Sequence, residues 1–89
     1  MTVNLAPGTA PFVVDGDVQF TIAVNGSFYR CTVAKEALRA HFGDTYVSGN
    51  RLAAFERGRE RILEVAAGML WQGKLIRLQS NDFDLRSFN

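Results

Sequence analysis

Residues 18–33 read Val18-Gln19-Phe20-Thr21-Ile22-Ala23-Val24-Asn25-Gly26-Ser27-Phe28-Tyr29-Arg30-Cys31-Thr32-Val33. Two runs of alternating character meet at an Asn-Gly pair, the favoured centre of a two-residue type I′ hairpin turn. With Asn25 and Gly26 in the turn, Val24 faces Ser27 and the register is fixed. Ile22 then pairs with Tyr29, Phe20 with Cys31 and Val18 with Val33. Side chains alternate along a strand, so these six share one apolar face. The other face carries Ala23 with Phe28, Thr21 with Arg30 and Gln19 with Thr32. One oily face and one mixed face fit a sheet covered by helices on a single side.

Upstream, Phe12-Val13-Val14 precedes Asp15-Gly16, a second tight-turn signal, and predicts a short strand over about 11–14. Residues 1–11 are small and polar with Pro and Gly, and read as a flexible lead-in. Downstream, Lys35 to Phe42 are mostly good helix formers, with Leu38 and Phe42 on one stripe and Gly43 as the stop. Residues 44–50 read as a loop. The spacing of Leu52, Phe55, Ile62, Ala66, Met69 and Leu70 predicts a longer helix over 51–72, capped by Gly73. Gly58 leaves a gap in that stripe. Its outer side alternates Glu56, Arg57, Glu60, Arg61 and Glu64. Lys74 to Gln79 reads as a last strand.

The expected order is β-β-β-α-α-β. This is an α+β fold, a small mainly antiparallel sheet with two helices packed on one face. One domain over 12–83 is expected, with a C-terminal tail at 84–89. The edge that the last strand joins is not specified by the pattern.

The composition agrees with one small domain. The chain has 89 residues, 47% of them hydrophobic and 21% charged. That excludes intrinsic disorder, and no biased tract suggests a fibrous or low-complexity chain. Ten Lys and Arg against nine Asp and Glu give a net charge of +1, which argues against nucleic acid or an anionic membrane as partner. No run approaches the length needed to span a bilayer. Met1 to Pro11 lacks the basic and apolar regions of a secretory signal, and the single Cys31 suits a reducing compartment. Cytoplasm is the expectation.

Few residues are left for chemistry. One His and one Cys cannot form a structural zinc site, and the nearest acidic pair, Asp82 and Asp84, fits a solvated tail. No metal or cofactor is expected. Cys31 and His41 are the only thiol–imidazole combination, but the register buries Cys31 opposite Phe20, where a thiol is inert. His41 suits the last turn of its helix as a favourable charge on the dipole. No nucleophile elbow, phosphate loop or dinucleotide fingerprint is present. Arg51, Arg57, Arg59 and Arg61 cluster, yet interleaved Glu residues neutralise them.

Three features resist a purely structural account. Phe28 is aromatic on the outer sheet face, with Arg30 beside it. Arg59 adjoins Gly58, where missing bulk could open a notch. Trp71 sits near the end of the long helix. The candidate binding residues are therefore Phe28, Arg30, Arg51, Arg59 and Trp71.

The pattern Val18-x-Phe20, then Tyr29-Arg30-Cys31-x-Val33, then Glu36-Ala37-Leu38 and Phe42-Gly43, resembles a family of small bacterial proteins, domain of unknown function fourteen-eighty-eight. The second block, Phe55 to Ile62 with Arg59, and the close on Asp82-Phe83 continue the resemblance, which covers about residues 17–83. In that family an Asn usually precedes the Arg of the second block, whereas Gly58 stands here. The resemblance implies a compact α+β domain and no reaction.

Two functions follow as expectations. The first is a non-enzymatic accessory or protein-interaction module, contacting a protein partner or a second copy through the open sheet face and unpaired sheet edges. The second is a binder of an anionic small ligand or single-stranded RNA through Arg30, Arg51 and Arg59. An enzyme built on Cys31 and His41 is the least supported reading.

Overall fold

A computed structural model describes residues 3–42 and 51–83. Gly43 as a helix stop, the loop at 44–50 and the tail at 84–89 lie outside the described residues.

The hairpin is the centre of the molecule. Strands β3 (Asp17–Val24) and β4 (Ser27–Val33) pair antiparallel in the expected register, from Val18 with Val33 to Val24 with Ser27. Asn25 and Gly26 take φ of 51° and 81°, the type I′ signature. Asp15 and Gly16, at 52° and 87°, make an equivalent turn between β2 (Phe12–Val14) and β3. Strand β1 (Asn4–Leu5), inside the segment read as a lead-in, pairs with Ala23 and Ile22. The outer edge of β3 is thus covered at both ends, and the Ala6 N–H donates to the Thr21 carbonyl between them.

Strand β5 (Leu75–Leu78) answers the question that the pattern left open. It joins the free side of β4 and runs parallel to it, Cys31 against Ile76 and Val33 against Leu78. A parallel neighbour requires a long crossover, and the helices supply it. The fold is therefore α+β, with a mainly antiparallel five-stranded sheet.

Helix α1 (Lys35–Phe42) starts where the Asp17 carboxylate accepts the Lys35 N–H at 2.9 Å. This satisfies one of the donors orphaned at a helix start. At the other end, Arg57 Nε donates to the Phe42 carbonyl at 3.1 Å. His41 Nε2 donates to the Ser80 carbonyl at 3.0 Å and ties α1 to the 3₁₀ turn Ser80–Phe83.

The single helix expected over 51–72 is three pieces: α2 (Arg51–Arg57), α3 (Arg59–Ala67) and a 3₁₀ turn at Leu70–Gln72. Gly58 interrupts it with φ −104° and ψ 13°. The hydrogen-bond ladder nevertheless continues, since Ile62 N–H reaches the Gly58 carbonyl at 2.8 Å. Gly58 is buried, and a Cβ built on it would land in the ring of Phe42. The expected notch is therefore occupied by Phe42 and offers no opening beside Arg59. Gly73, at φ 95°, closes the 3₁₀ turn by donating to the Leu70 carbonyl.

The core lies between the sheet and the helices. Val18, Phe20, Ile22, Cys31, Val33, Ile76 and Leu78 meet Leu38, Ala54, Phe55 and Ile62. The rings of Phe20 and Phe55 are 5.1 Å apart, within the range of favourable aromatic pairs. Phe83 closes the far end, buried and edge-on to Phe42 at 5.3 Å. Among the described residues no helix is long and apolar enough to cross a membrane.

Candidate contact surface on the open sheet face

Alternation sends every second residue of the sheet away from the core. The pairings align Phe12, Gln19, Thr32 and Arg77 in one row across the sheet, and Thr21, Arg30 and Leu75 in the next. Asn4, Ala23 and Phe28 form a third. The apolar members are prominent: Phe12 is 53% exposed, Phe28 59% and Leu75 71%. No described element packs over them, because all the helices lie on the opposite side. Phe28 is not covered by β1, which lies beyond Ala23.

A shallow hollow of about 330 Å³ opens along the seam of β4 and β5. Gln19, Arg30, Thr32, Leu75 and Arg77 line it. The two guanidinium side chains differ in their surroundings. Arg77 Nη1 lies 3.5 Å from Asp17 Oδ2, the same carboxylate that caps α1. Arg30 is exposed, and among the described residues it forms no ion pair; its cross-strand neighbours are Thr21 and Leu75.

Trp71, 77% exposed, stands on the 3₁₀ turn just outside β5. It lines an open groove with Met69, Gln72, Arg77 and Gln79. Arg77 borders both this groove and the hollow, so the open face continues round the rim of β5 to Trp71.

The rim is capped by side chains at two positions. In a parallel pair alternate residues direct both backbone groups to the neighbour, and here Lys74 and Leu78 accept from β4 and Ala34. Arg77 therefore directs its groups outward, where the Gln72 side chain takes both. Gln72 Oε1 accepts the Arg77 N–H at 3.1 Å, and Nε2 donates to the Arg77 carbonyl at 3.4 Å. One step on, the Asp82 carboxylate accepts the Gln79 N–H at 2.7 Å. Side chains thus occupy the pairing positions that a partner strand would need. The β5 edge is thus capped at Arg77 and Gln79, and on the other side the outer edge of the sheet passes from β3 to the short strands β1 and β2.

The remaining candidates lie elsewhere. Arg59 is on the helix layer, 3.4 Å from Glu56, in a groove shared with Arg57, Glu60 and Glu64. Three carboxylates against two guanidinium groups make that groove unsuited to an anion. Arg51 is half-buried, its guanidinium beside Gly16 in the β2–β3 turn. Arg30, Arg51 and Arg59 therefore do not converge. The structure puts Phe28 and Arg30 on the open sheet face together with Phe12, Leu75 and Arg77, and Trp71 in the groove that Arg77 also borders. The alternation of Leu75, Ile76, Arg77 and Leu78 signals that Leu75 and Arg77 share a face. Their place beside Arg30 depends on the edge that β5 chooses.

Cys31 is buried against the sheet, and burial pushes its thiol up to about 12. Its sulfur donates weakly to the Tyr29 carbonyl at 3.7 Å. His41 is held by Ser80 and lies against Phe83. A thiol that stays protonated is a poor nucleophile. Among the described residues, no three His, Cys, Asp or Glu side chains gather as a metal site.

Comparison with known proteins adds one finding. A family model, protein of unknown function (DUF1488), matches residues 14–75. No curated protein and no solved structure matches the chain. The matched span runs from the end of β2 to the start of β5, taking in the hairpin and the helical crossover, and the chain belongs to the DUF1488 family.

Proposed function

We propose that this protein is a non-enzymatic interaction module whose contact surface is the open sheet face and its β5 rim. The observation that carries this reading is that Phe28 and Leu75, each more than half exposed, are diagonal neighbours on the outward side of β4 and β5, with Trp71 equally prominent on the 3₁₀ turn outside β5. Isolated exposed apolar residues are ordinary, but a contiguous group on an uncovered sheet is the mark of an interaction site. Trp, Phe and Arg are also the residue types that dominate interface energetics. We place the module in the bacterial cytoplasm, a reading supported by the free, buried Cys31 and the family resemblance.

Affinity capture from a host lysate tests the proposal. Phe28→Ala and Trp71→Ala should lose a protein companion that wild type and Arg59→Ala retain. Loss in Arg59→Ala alone would move the contact to the helix layer and contradict the proposal.

A further inference from the structure

Resting on the interaction reading, we infer that the open face accepts an extended acidic segment of a partner protein along the seam of β4 and β5. Charge complementarity chooses the occupant. Arg30 is exposed and without a carboxylate among the described residues. Arg77 lines the same hollow, and its guanidinium pairs with Asp17 on one side. The Thr32 hydroxyl and the Gln19 amide add neutral donors. Charge-assisted hydrogen bonds to guanidinium groups are the strongest that such a surface offers.

The spacing selects an extended peptide. Arg30 faces Leu75, and Arg77 lies two residues further along β5. Such diagonal neighbours are roughly 7–8 Å apart. In an extended chain, side chains at alternate positions point the same way and are separated by about 6.6 Å. Two acidic residues at alternate positions therefore meet the two guanidinium groups together. Following the seam the other way from Arg30, the next outward residue of β4 is Phe28. An apolar residue two positions beyond the first acid would lie over Phe28 and Leu75. For a segment running parallel to β4 the recognition pattern is apolar, any, acidic, any, acidic.

Single-stranded nucleic acid fits this surface less well. The surface's exposed aromatic rings are dispersed: Phe12 lies level with Gln19 and Phe28 with Ala23 on opposite sides of β3, and Trp71 stands outside β5. Successive stacked bases need a closer series.

The test uses the full chain and a fluorescent peptide of threonines carrying leucine at its second position and aspartate at its fourth and sixth. Fluorescence anisotropy should show saturable binding that weakens with added salt. Arg30→Gln and Arg77→Gln should each weaken it roughly tenfold or more. Amide NMR shifts should move at Thr32 and Leu75. A peptide with asparagine replacing both aspartates should bind at least tenfold more weakly. Moving the aspartates to adjacent positions should have a similar effect. Equal binding by either control, insensitivity to Arg30→Gln, or no binding overturns the inference. Tighter binding of single-stranded oligouridylate, lost in Arg30→Gln, overturns the choice of partner. If the companion captured from lysate depends on Phe28 but survives Arg30→Gln, the acidic-segment inference fails and the interaction reading stands. If capture is indifferent to Phe28 and Trp71, the reading itself fails.

Discussion

Gly58 and Phe42 share one volume. The ring of Phe42 stands where a Cβ on Gly58 would be, and the Gly58 backbone is helical enough to accept a side chain in every other respect. Gly58→Ala should therefore lose about 1–3 kcal/mol through overpacking, more than the helix propensity that alanine restores. Urea denaturation measures the loss. Adding Phe42→Leu should recover part of it, giving a favourable coupling in a double-mutant cycle. Strictly additive effects would mean that the two do not compete for space. The vacancy at Gly58 was visible in the sequence as a break in the apolar stripe. Its occupant was not, because only the docking of α1 on α2 brings Phe42 there.

Cys31 makes a second prediction at this scale. Burial pushes its pKa in the folded chain up to about 12, from an ordinary thiol value of 9.0. A raised value means that its stabilising contribution is complete below about pH 9 and is lost as pH rises towards 12. In that window the unfolded chain releases a proton that the folded chain keeps. Wild type should lose up to about 1.4 kcal/mol per pH unit more than Cys31→Ala. Denaturant titrations at pH 9, 10 and 11 check this; parallel slopes would contradict the burial of the thiol.

Among the elements, the β3–β4 hairpin was the most legible, because its turn chemistry and two-residue period agree. Every expected pair from Val18 with Val33 to Val24 with Ser27 is formed. Gly26 has open space around it but φ of 81°, so Gly26→Val should cost about 1–3 kcal/mol through backbone strain alone. An unchanged urea midpoint would contradict the turn type. The long helix was less legible. The apolar stripe resumes in phase after the vacancy at Gly58, so the pattern showed a missing side chain but not the end of a helix.

The β5 edge was not legible at all, since the partner of that strand is chosen by the crossover and not by its own residues. Gln72 acts there as a side-chain substitute for a neighbouring strand. Removing the substitute exposes the Arg77 N–H and carbonyl next to the prominent Leu75. Gln72→Ala should therefore self-associate more strongly than wild type in sedimentation equilibrium. An unchanged mass distribution would mean that other features protect the edge.

At the scale of the whole molecule, the two layers have different tasks. The helices and the inner sheet face supply the core, and the helix surface balances its charge through pairs such as Arg59 with Glu56 and Arg61 with Glu64. Such exposed pairs contribute little to stability but leave that side without a strong field. The open face carries the exposed aromatic, aliphatic and guanidinium groups instead. Period-two alternation placed Phe28 and Arg30 on that face from sequence. It could not place Leu75, Arg77 or Trp71 beside them, because their proximity is created by the parallel docking of β5 on β4.

In the proposed interaction the open sheet face, and not the helix layer, meets the partner. A photoreactive phenylalanine analogue at position 28, compared in living cells with the same analogue replacing exposed Glu60 on α3, tests it most directly. A discrete protein adduct at position 28 and none at position 60 is the predicted result. An adduct at position 60 with position 28 silent would put the contact on the helix layer and overturn the proposed interaction.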